Sequence, residues 1–204
     1  MPISLITDFE DYYDYLLIGS NDAGNSCYRR MLSDSMSKGS AINFLKSLNV
    51  PTIELSSPIR LTSVSDRVVV YTNPKLHNGK GKVICSYQDA VNNYPGCLAS
   101  PFIGEANGVY IKFLQIGARS FQLVMYNEQY NLNLNPGRII SITEMPPGYN
   151  SSISIPIFSI DYIPCGGKML AVDFNEVQNL RAIGFDKVLR AEEVVAEINK
   201  IFRH

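Results

Sequence analysis

Residues 158–180 read FSIDYIPCGGKMLAVDFNEVQNL, and the interpretation of the whole chain starts from them. An apolar run over 155–163 carries one acid, Asp161. A Cys-Gly-Gly-Lys turn follows, and a second apolar run over 169–172 leads into Asp173-Phe174-Asn175. Two β-prone runs joined by Gly-Gly predict an antiparallel hairpin. Residues two apart in a strand share a face, so Asp173 and Asn175 are expected to point the same way, with Asp161 brought beside them from the neighbouring strand. Three oxygen ligands of this kind suit Mg²⁺, which takes a few carboxylates, keeps waters and completes an octahedron with phosphate oxygens. The same residues also fit a strand end followed by a turn or helix cap, because acids beside turns are common.

Composition narrows the function classes. A chain of 204 residues can hold one domain with a sizeable core or two small lobes. Eighteen basic against nineteen acidic residues leave a net charge of −1, which lacks the basic footprint of nucleic-acid or anionic-membrane binding. No run is long enough to cross a bilayer. The acidic start, MPISLITDFEDYYDY, has no basic n-region and does not read as a signal peptide. Cys27, Cys85, Cys97 and Cys165 show neither CxxC nor zinc spacing, so reduced thiols in a cytoplasmic protein are expected. Cys165 reads as a small turn cysteine rather than a nucleophile. With His77 and His204 as the only histidines, histidine-based catalysis is not expected.

Working outward, residues 8–17 (DFEDYYDYLL) read as a short acidic helix, and 19–26 as a turn-rich loop. Ser37-Lys38-Gly39-Ser40 leads a helix whose apolar residues Ile42, Phe44, Leu45 and Leu48 recur at helical spacing until Pro51. RVVVY at 67–71 is a buried strand, NPKLHNGKGK at 73–82 a loop, 83–86 a strand and 87–93 a helix. Glycines allow close backbone approach and lysines supply charge, so the 73–82 loop could cover phosphates; it is also an ordinary solvated hairpin loop. Residues 95–103 end in an apolar strand. Residues 108–117 and 118–126 are expected to form a hairpin that carries Lys112, either a cation on a buried strand that needs a partner such as phosphate or a residue on the solvent face of a half-exposed strand. Residues 127–148, rich in Asn, Pro and Gly, show little periodicity. A terminal helix is expected from Lys187, with an apolar stripe from Val188 to Phe202.

In this order the pieces resemble the ATP-grasp superfamily. Asp161, Asp173 and Asn175 match its Asp followed by Glu-x-Asn, with Asp173 where Glu is usual and Gln178 where Pro is common. The Lys-led helix ending in NVPT is similar to the family's "gly-ile-pro-thr-pro" turn. Gly79-Lys80-Gly81-Lys82 matches its phosphate loop. The lysine that ends the preceding strand in the family has no match, since Tyr71-Thr72 stands there, and Lys75 or Lys80 could substitute. Residues 99–103 match the hinge that holds adenine, with Pro101 in place of an acid, so recognition falls to Ser100 or Phe102. Lys112 falls at the family's arginine and Tyr110 at its aspartate. Arg138 is the candidate for the family's phosphate-binding arginine, and it reads equally as a plain surface residue.

The resemblance implies an α+β fold of two small lobes with antiparallel sheets enclosing a nucleotide cleft. It implies a short N-terminal segment (1–36), an N-lobe with the phosphate loop (37–103) and a C-lobe with the metal hairpin and terminal helix (104–204). The implied activity is ATP- and Mg-dependent ligation of a carboxylate to an amine or thiol through an acyl phosphate. ATP would be held by Lys75, Gly79, Lys80, Gly81, Lys82, Ser100, Phe102 and Lys112, the metal by Asp161, Asp173 and Asn175, with Lys112 and Arg138 catalytic. The acceptor is not given, and a homo-oligomer or protein partner is left open. Two alternatives stand beside it: a catalytically reduced nucleotide- or protein-binding module on the same fold, motivated by the missing lysine and the short N-terminal segment, and a non-enzymatic α+β protein.

Overall fold

The computed structural model describes residues 15–18, 28–31, 36–63, 65–75, 81–127, 137–146, 153, 155, 157–176, 188–190, 193, 196, 197 and 200. Within them the chain is α+β, with two main antiparallel sheets and few helices. The small sheet has the order β4-β3-β5, from β3 (Arg67–Tyr71), β4 (Lys82–Ser86) and β5 (Leu98–Pro101). The large sheet has the order β10-β9-β6-β7-β8, from β6 (Val109–Ile116), β7 (Arg119–Tyr126), β8 (Arg138–Glu144), β9 (Ile157–Cys165) and β10 (Lys168–Asn175). A separate two-stranded ribbon pairs β1 (Tyr15–Ile18) with β2 (Tyr28–Met31). The expected helix over 8–17 is therefore corrected at its C-terminal end: residues 15–17 are strand, because the β-prone Tyr-Leu-Leu-Ile run pairs with residues 28–31. The rest of that segment lies outside the described residues.

Helix α1 (Lys38–Ser47) starts at Ser37, whose hydroxyl accepts from Ser40 N. Its apolar face meets one face of the large sheet: Ala41 and Leu45 pack with Phe158, Ile160, Ala171 and Phe174. The Phe44 and Phe174 rings approach to 4.9 Å, and Phe158 and Phe174 to 5.6 Å. Helix α2 (Tyr87–Asn93) covers the small sheet, Ala90 joining Val68, Val70 and Ala99. The terminal segment is helical at residues 193, 196, 197 and 200.

Residues 51–56 lace the two sheets together. Ala171 of the large sheet donates to Pro51 O (2.8 Å) and accepts from Ile53 N (3.1 Å). Five residues on, Ser56 and Ala99 of the small sheet exchange both backbone hydrogen bonds, at 3.0 and 2.7 Å. Glu54, in the middle of this strap, accepts from Thr62 N (2.7 Å), Thr62 Oγ (3.0 Å) and Ser63 N (2.8 Å). Partial burial would raise its pKa, but these donors outweigh it and hold the carboxyl below its ordinary value.

Both long hairpins form as expected. The β9–β10 turn uses Gly166 and Gly167 at φ of 57° and 72°, where a side chain would be strained. Two features were not expected. Strand β8 lies inside 127–148; its pairing with β7 shifts register between Val124 and Met125, opposite the Ile139-Ile140-Ser141 segment, and this breaks the alternation a strand would otherwise display. The second register shift falls between Ala171 and Asp173 of β10, at Val172.

Two stability outcomes follow. Phe158→Ala should cost about 3–5 kcal/mol in urea unfolding, since the ring is fully buried between Phe113 and Phe174; a loss under about 1 kcal/mol would contradict this core. Glu54→Gln should cost up to about 1 kcal/mol at neutral pH, after discounting for solvent. A depressed carboxyl pKa adds stability above the unfolded-state value and loses it as pH falls through the folded one, so the two proteins should converge below about pH 4. A difference independent of pH would refute the role of the charge.

Candidate functional site

The site is a row of charges across three strands of the large sheet. Lys112 on β6 is the register partner of Asp161 on β9, and Asp161 of Asp173 on β10. Counting back from the turn, where Lys168 pairs with Cys165, an unbroken ladder would set Asp173 opposite Ile160, on the face packed against α1. Val172 is the extra residue that prevents this. It shifts Asp173 and Asn175 to the face that carries Asp161 and Ser159, a standard use of a β-bulge beside a functional site. Asn175 pairs with Ser159, one position along from the acids.

Both carboxylates carry a lysine. Lys112 Nζ lies 2.5 Å from Asp161 Oδ1 and donates to Ser159 Oγ at 3.3 Å. Lys38 Nζ lies 3.0 Å from Asp173 Oδ1 and also donates to the backbone carbonyl of Val172, the bulge residue. Lys38 is 8% exposed and Lys112 5%, and charges so buried require partners. Burial alone would lower the Lys38 pKa and raise that of Asp173. Their attraction prevails at both ends: Lys38 is held above its ordinary value, helped by Tyr71 and Asp161, and Asp173 below its own, helped by Lys82 and Lys112.

The small sheet reaches the row through Tyr71, at the end of β3. Lys38 Nζ is 5.3 Å from the centre of its ring, and Lys82 Nζ, on the register partner in β4, is 5.8 Å from it. The Tyr71 hydroxyl is 3.4 Å from Ser100 Oγ on β5. Two cations thus flank the Tyr71 ring. Lys38, Lys82 and Lys112 against Asp161 and Asp173 make three positive charges to two negative, so the local balance is +1. Tyr110, also on β6, has its phenol pushed up by burial and by Asp161, against a hydrogen bond from the Gly137 backbone.

The residues expected from sequence divide as follows. Lys112, Asp161 and Asp173 meet in one row, with Asn175 beside it; Lys82 and Ser100 join through Tyr71. Phe102 donates its backbone N–H to Arg67 O at 3.0 Å, and the Arg67 guanidinium covers its ring at 4.5 Å. Gly81 turns the loop at φ 73°, where a Cβ would meet Asn73 O. Lys75 is exposed, its N–H bonded to Asn73 Oδ1. Gly79 and Lys80 lie outside the described residues. Arg138 is on β8 at the far edge of the sheet, over the Tyr126 ring at 5.5 Å. Three strand spacings separate β8 from β9, about 14 Å, so the structure does not bring Arg138 to the acids. Cys165, at the hairpin tip, is held protonated by burial and Glu105, as expected of a turn cysteine.

Sequence reading missed Lys38 and Tyr71. The signal for Lys38 was present: with Ala41, Ile42 and Leu45 it occupies the i, i+3, i+4, i+7 stripe that faces the core, and a lysine there needs an anion.

Among the described residues no three His, Cys, Asp or Glu side chains converge on a metal position. The chemistry of Asp161, Asp173 and Asn175 still suits Mg²⁺: the ion pairs engage Oδ1 of each acid, and Asp173 keeps a third of its side-chain exposure. A dication about 4 Å from an ammonium would meet a repulsion of roughly 8 kcal/mol at an effective dielectric of 20, so a metal cannot share Asp173 with Lys38, nor the same oxygen of Asp161 with Lys112.

Lys112→Met and Asp161→Asn should each cost about 3–5 kcal/mol in denaturant unfolding, because each strands a buried partner, and the double variant should cost clearly less than their sum. Additive losses would show that the pair does not interact.

No protein-family model matches the sequence, and no curated protein matches it. Solved structures do. The biotin carboxylase domain of Hydrogenobacter thermophilus 2-oxoglutarate carboxylase, in complex with MgADP, ADP and bicarbonate, matches 82% of this chain at a TM-score of 0.54 and 14% identity. The β-γ-ATP complex of Campylobacter jejuni biotin carboxylase matches 82% of it at 0.52 and 10%. D-alanine-D-alanine ligase from Helicobacter pylori covers 79% at 0.46 and 12%, which adds no weight. The chain spans 45% and 46% of the two carboxylase chains and 60% of the ligase. At this identity the match speaks to fold alone. Its two antiparallel sheets and few helices superpose on ATP-grasp enzymes, and the fold of this protein is ATP-grasp-like.

Proposed function

We propose that this protein binds ATP between residues 37–103 and 104–204 and uses it, with Mg²⁺, to join a carboxylate to an amine or thiol. The observation that carries this reading is the Lys112–Asp161–Asp173 row, met by Lys38 and Lys82 at the Tyr71 ring. Point charges of this kind suit phosphate oxygens. Lys82, on the strand that follows the glycine loop, and Lys38, at the head of α1, would hold the phosphate tail. Lys112 would neutralise charge on the transferring group. Asp161, Asp173 and Asn175 would hold Mg²⁺, whose chemistry is to offset phosphate charge. The acceptor carboxylate oxygen would attack the γ-phosphorus as the bond to the ADP oxygen breaks. The amine or thiol would then attack the acyl carbon, releasing inorganic phosphate and a proton. Ser100 and the β5 backbone would face the base. Arg138 takes no part in this reading.

A second reading, a nucleotide-binding module without turnover, is favoured by one observation: both carboxylates are engaged by lysines, while Tyr71 stands in place of a lysine. Either way nucleotide should bind.

ATP at a hundred times its dissociation constant should stabilise the fold by about 2.7 kcal/mol, a rise in Tm of roughly 5–10 °C for a chain of this length. Asp173→Ala should abolish the Mg²⁺-dependent part of that rise. A melting temperature unmoved by ATP or ADP, with or without Mg²⁺, would contradict both readings. Hydroxylamine trapping of an acyl phosphate, across a panel of carboxylates, separates them: hydroxamate formation supports the ligase, and its absence with nucleotide bound supports the module.

A further inference from the structure

We propose that Lys38 is an internal stand-in for the divalent cation and makes metal binding conditional on nucleotide: the metal enters at Asp173 only after a phosphate has drawn the Lys38 ammonium away. This rests on the reading of Asp161, Asp173 and Asn175 as the metal's ligands.

Three observations carry it. First, Lys38 Nζ is bonded to Asp173 Oδ1 at 3.0 Å and to the carbonyl of Val172, so it already holds one oxygen of a carboxylate that would serve the metal. Second, it arrives from outside the sheet. Lys112 belongs to the row itself and is fixed by Asp161 and by Ser159. Lys38 comes from the first turn of α1, whose backbone N–H is tied to Pro74 O at 3.1 Å. The helix can therefore stay in place while only the flexible side chain moves. Third, a second station is at hand. The Tyr71 ring, 5.3 Å from Nζ, lies on the small-sheet side, where Lys82 also points. An ammonium that leaves Asp173 moves along an aromatic face toward the lysine that flanks the phosphate tail.

The exchange leaves no charge unpaired. Without ligand, the ammonium neutralises Asp173. With nucleotide, the same ammonium neutralises phosphate and the dication replaces it on the carboxylate. Each event favours the other, and coupling of this sort is reciprocal: nucleotide raises metal affinity by the factor by which metal raises nucleotide affinity.

The test measures free Mn²⁺ by electron paramagnetic resonance during titration of the wild type, Lys38→Met and Lys38→Gln, each checked for folding by circular dichroism. Met keeps the apolar stem, and Gln keeps a donor for Val172 O without the charge. Without nucleotide, the wild type should leave Mn²⁺ free, whereas either variant should bind it at least tenfold more tightly. Adding Asp173→Asn to the variant should abolish that gain. With ADP, after subtraction of the Mn²⁺ that ADP holds in the absence of protein, the wild type should gain more Mn²⁺ affinity than the variants. Equal Mn²⁺ affinity of wild type and folded variants without nucleotide overturns the proposal. So does a gain that survives Asp173→Asn. The nucleotide-free arms decide the role of Lys38 even if ADP binds none of these proteins, an outcome that would count against the functional reading instead.

Discussion

The β-bulge at Val172 is the constraint on which the site depends. Without it, the register set at the β9–β10 turn would place Asp173 opposite Ile160, beside Phe158 and under helix α1, and would turn Phe174 out of the core. A carboxylate there would have no partner, and burying it would be prohibitive. With the extra residue, Ala171 keeps its place in the core while Asp173 turns to the face of Asp161 and Lys112. Lys38 donates to the carbonyl of that same residue. Bulge, helix and ion pair are therefore one arrangement. The first turn of α1 is pinned to the irregularity that aims Asp173, and Ala41, Ile42 and Leu45 pack on either side of it.

Buried ion pairs are a poor source of stability, because desolvation offsets most of their attraction. Two part-buried pairs side by side, at Lys112–Asp161 and Lys38–Asp173, are a costly way to hold a sheet together. Apolar residues of the same size would serve as well or better. The proposed function gives these charges a role that packing alone does not. The strap over 51–56 sits in the same neighbourhood: it bonds to Ala171, the residue before the bulge, and to Ala99, the residue before Ser100. One segment thus connects both walls of the proposed cleft at the points where its polar residues begin.

Much of this was legible in the sequence. The Gly-Gly hairpin, the RVVVY strand, helix α2 and the 109–126 hairpin follow from local pattern and turn chemistry, and the order of these pieces was enough to suggest the fold. Two of the features that escaped share a physical origin. Bulges at β8 and β10 break the two-residue period, and no local residue type announces them. At β8 the Ile-Ile pair disguised a strand as irregular chain. At β10 the expected meeting of Asp161 with Asp173 is found, but through a bulge that the spacing argument did not contain. The role of Lys38 was readable in principle from its position on an apolar stripe. Its partner was not, because Asp173 is 135 residues away and only tertiary structure joins them. Arg138 illustrates the opposite limit: its place in the order of motifs said nothing about strand order, which sets it at the far edge of the sheet.

The most direct test of the central claim is the cross-strand pattern of nuclear Overhauser effects at Asp173. Side chains directly opposite on neighbouring strands have Cβ atoms about 4.5–5.5 Å apart. The bulge predicts a cross-peak between the β-protons of Asp173 and Asp161, and contacts from the Lys38 ε-protons to Asp173. A cross-peak from Asp173 to Ile160 in place of Asp161 would mean that the ladder runs unbroken and that the charged row does not exist.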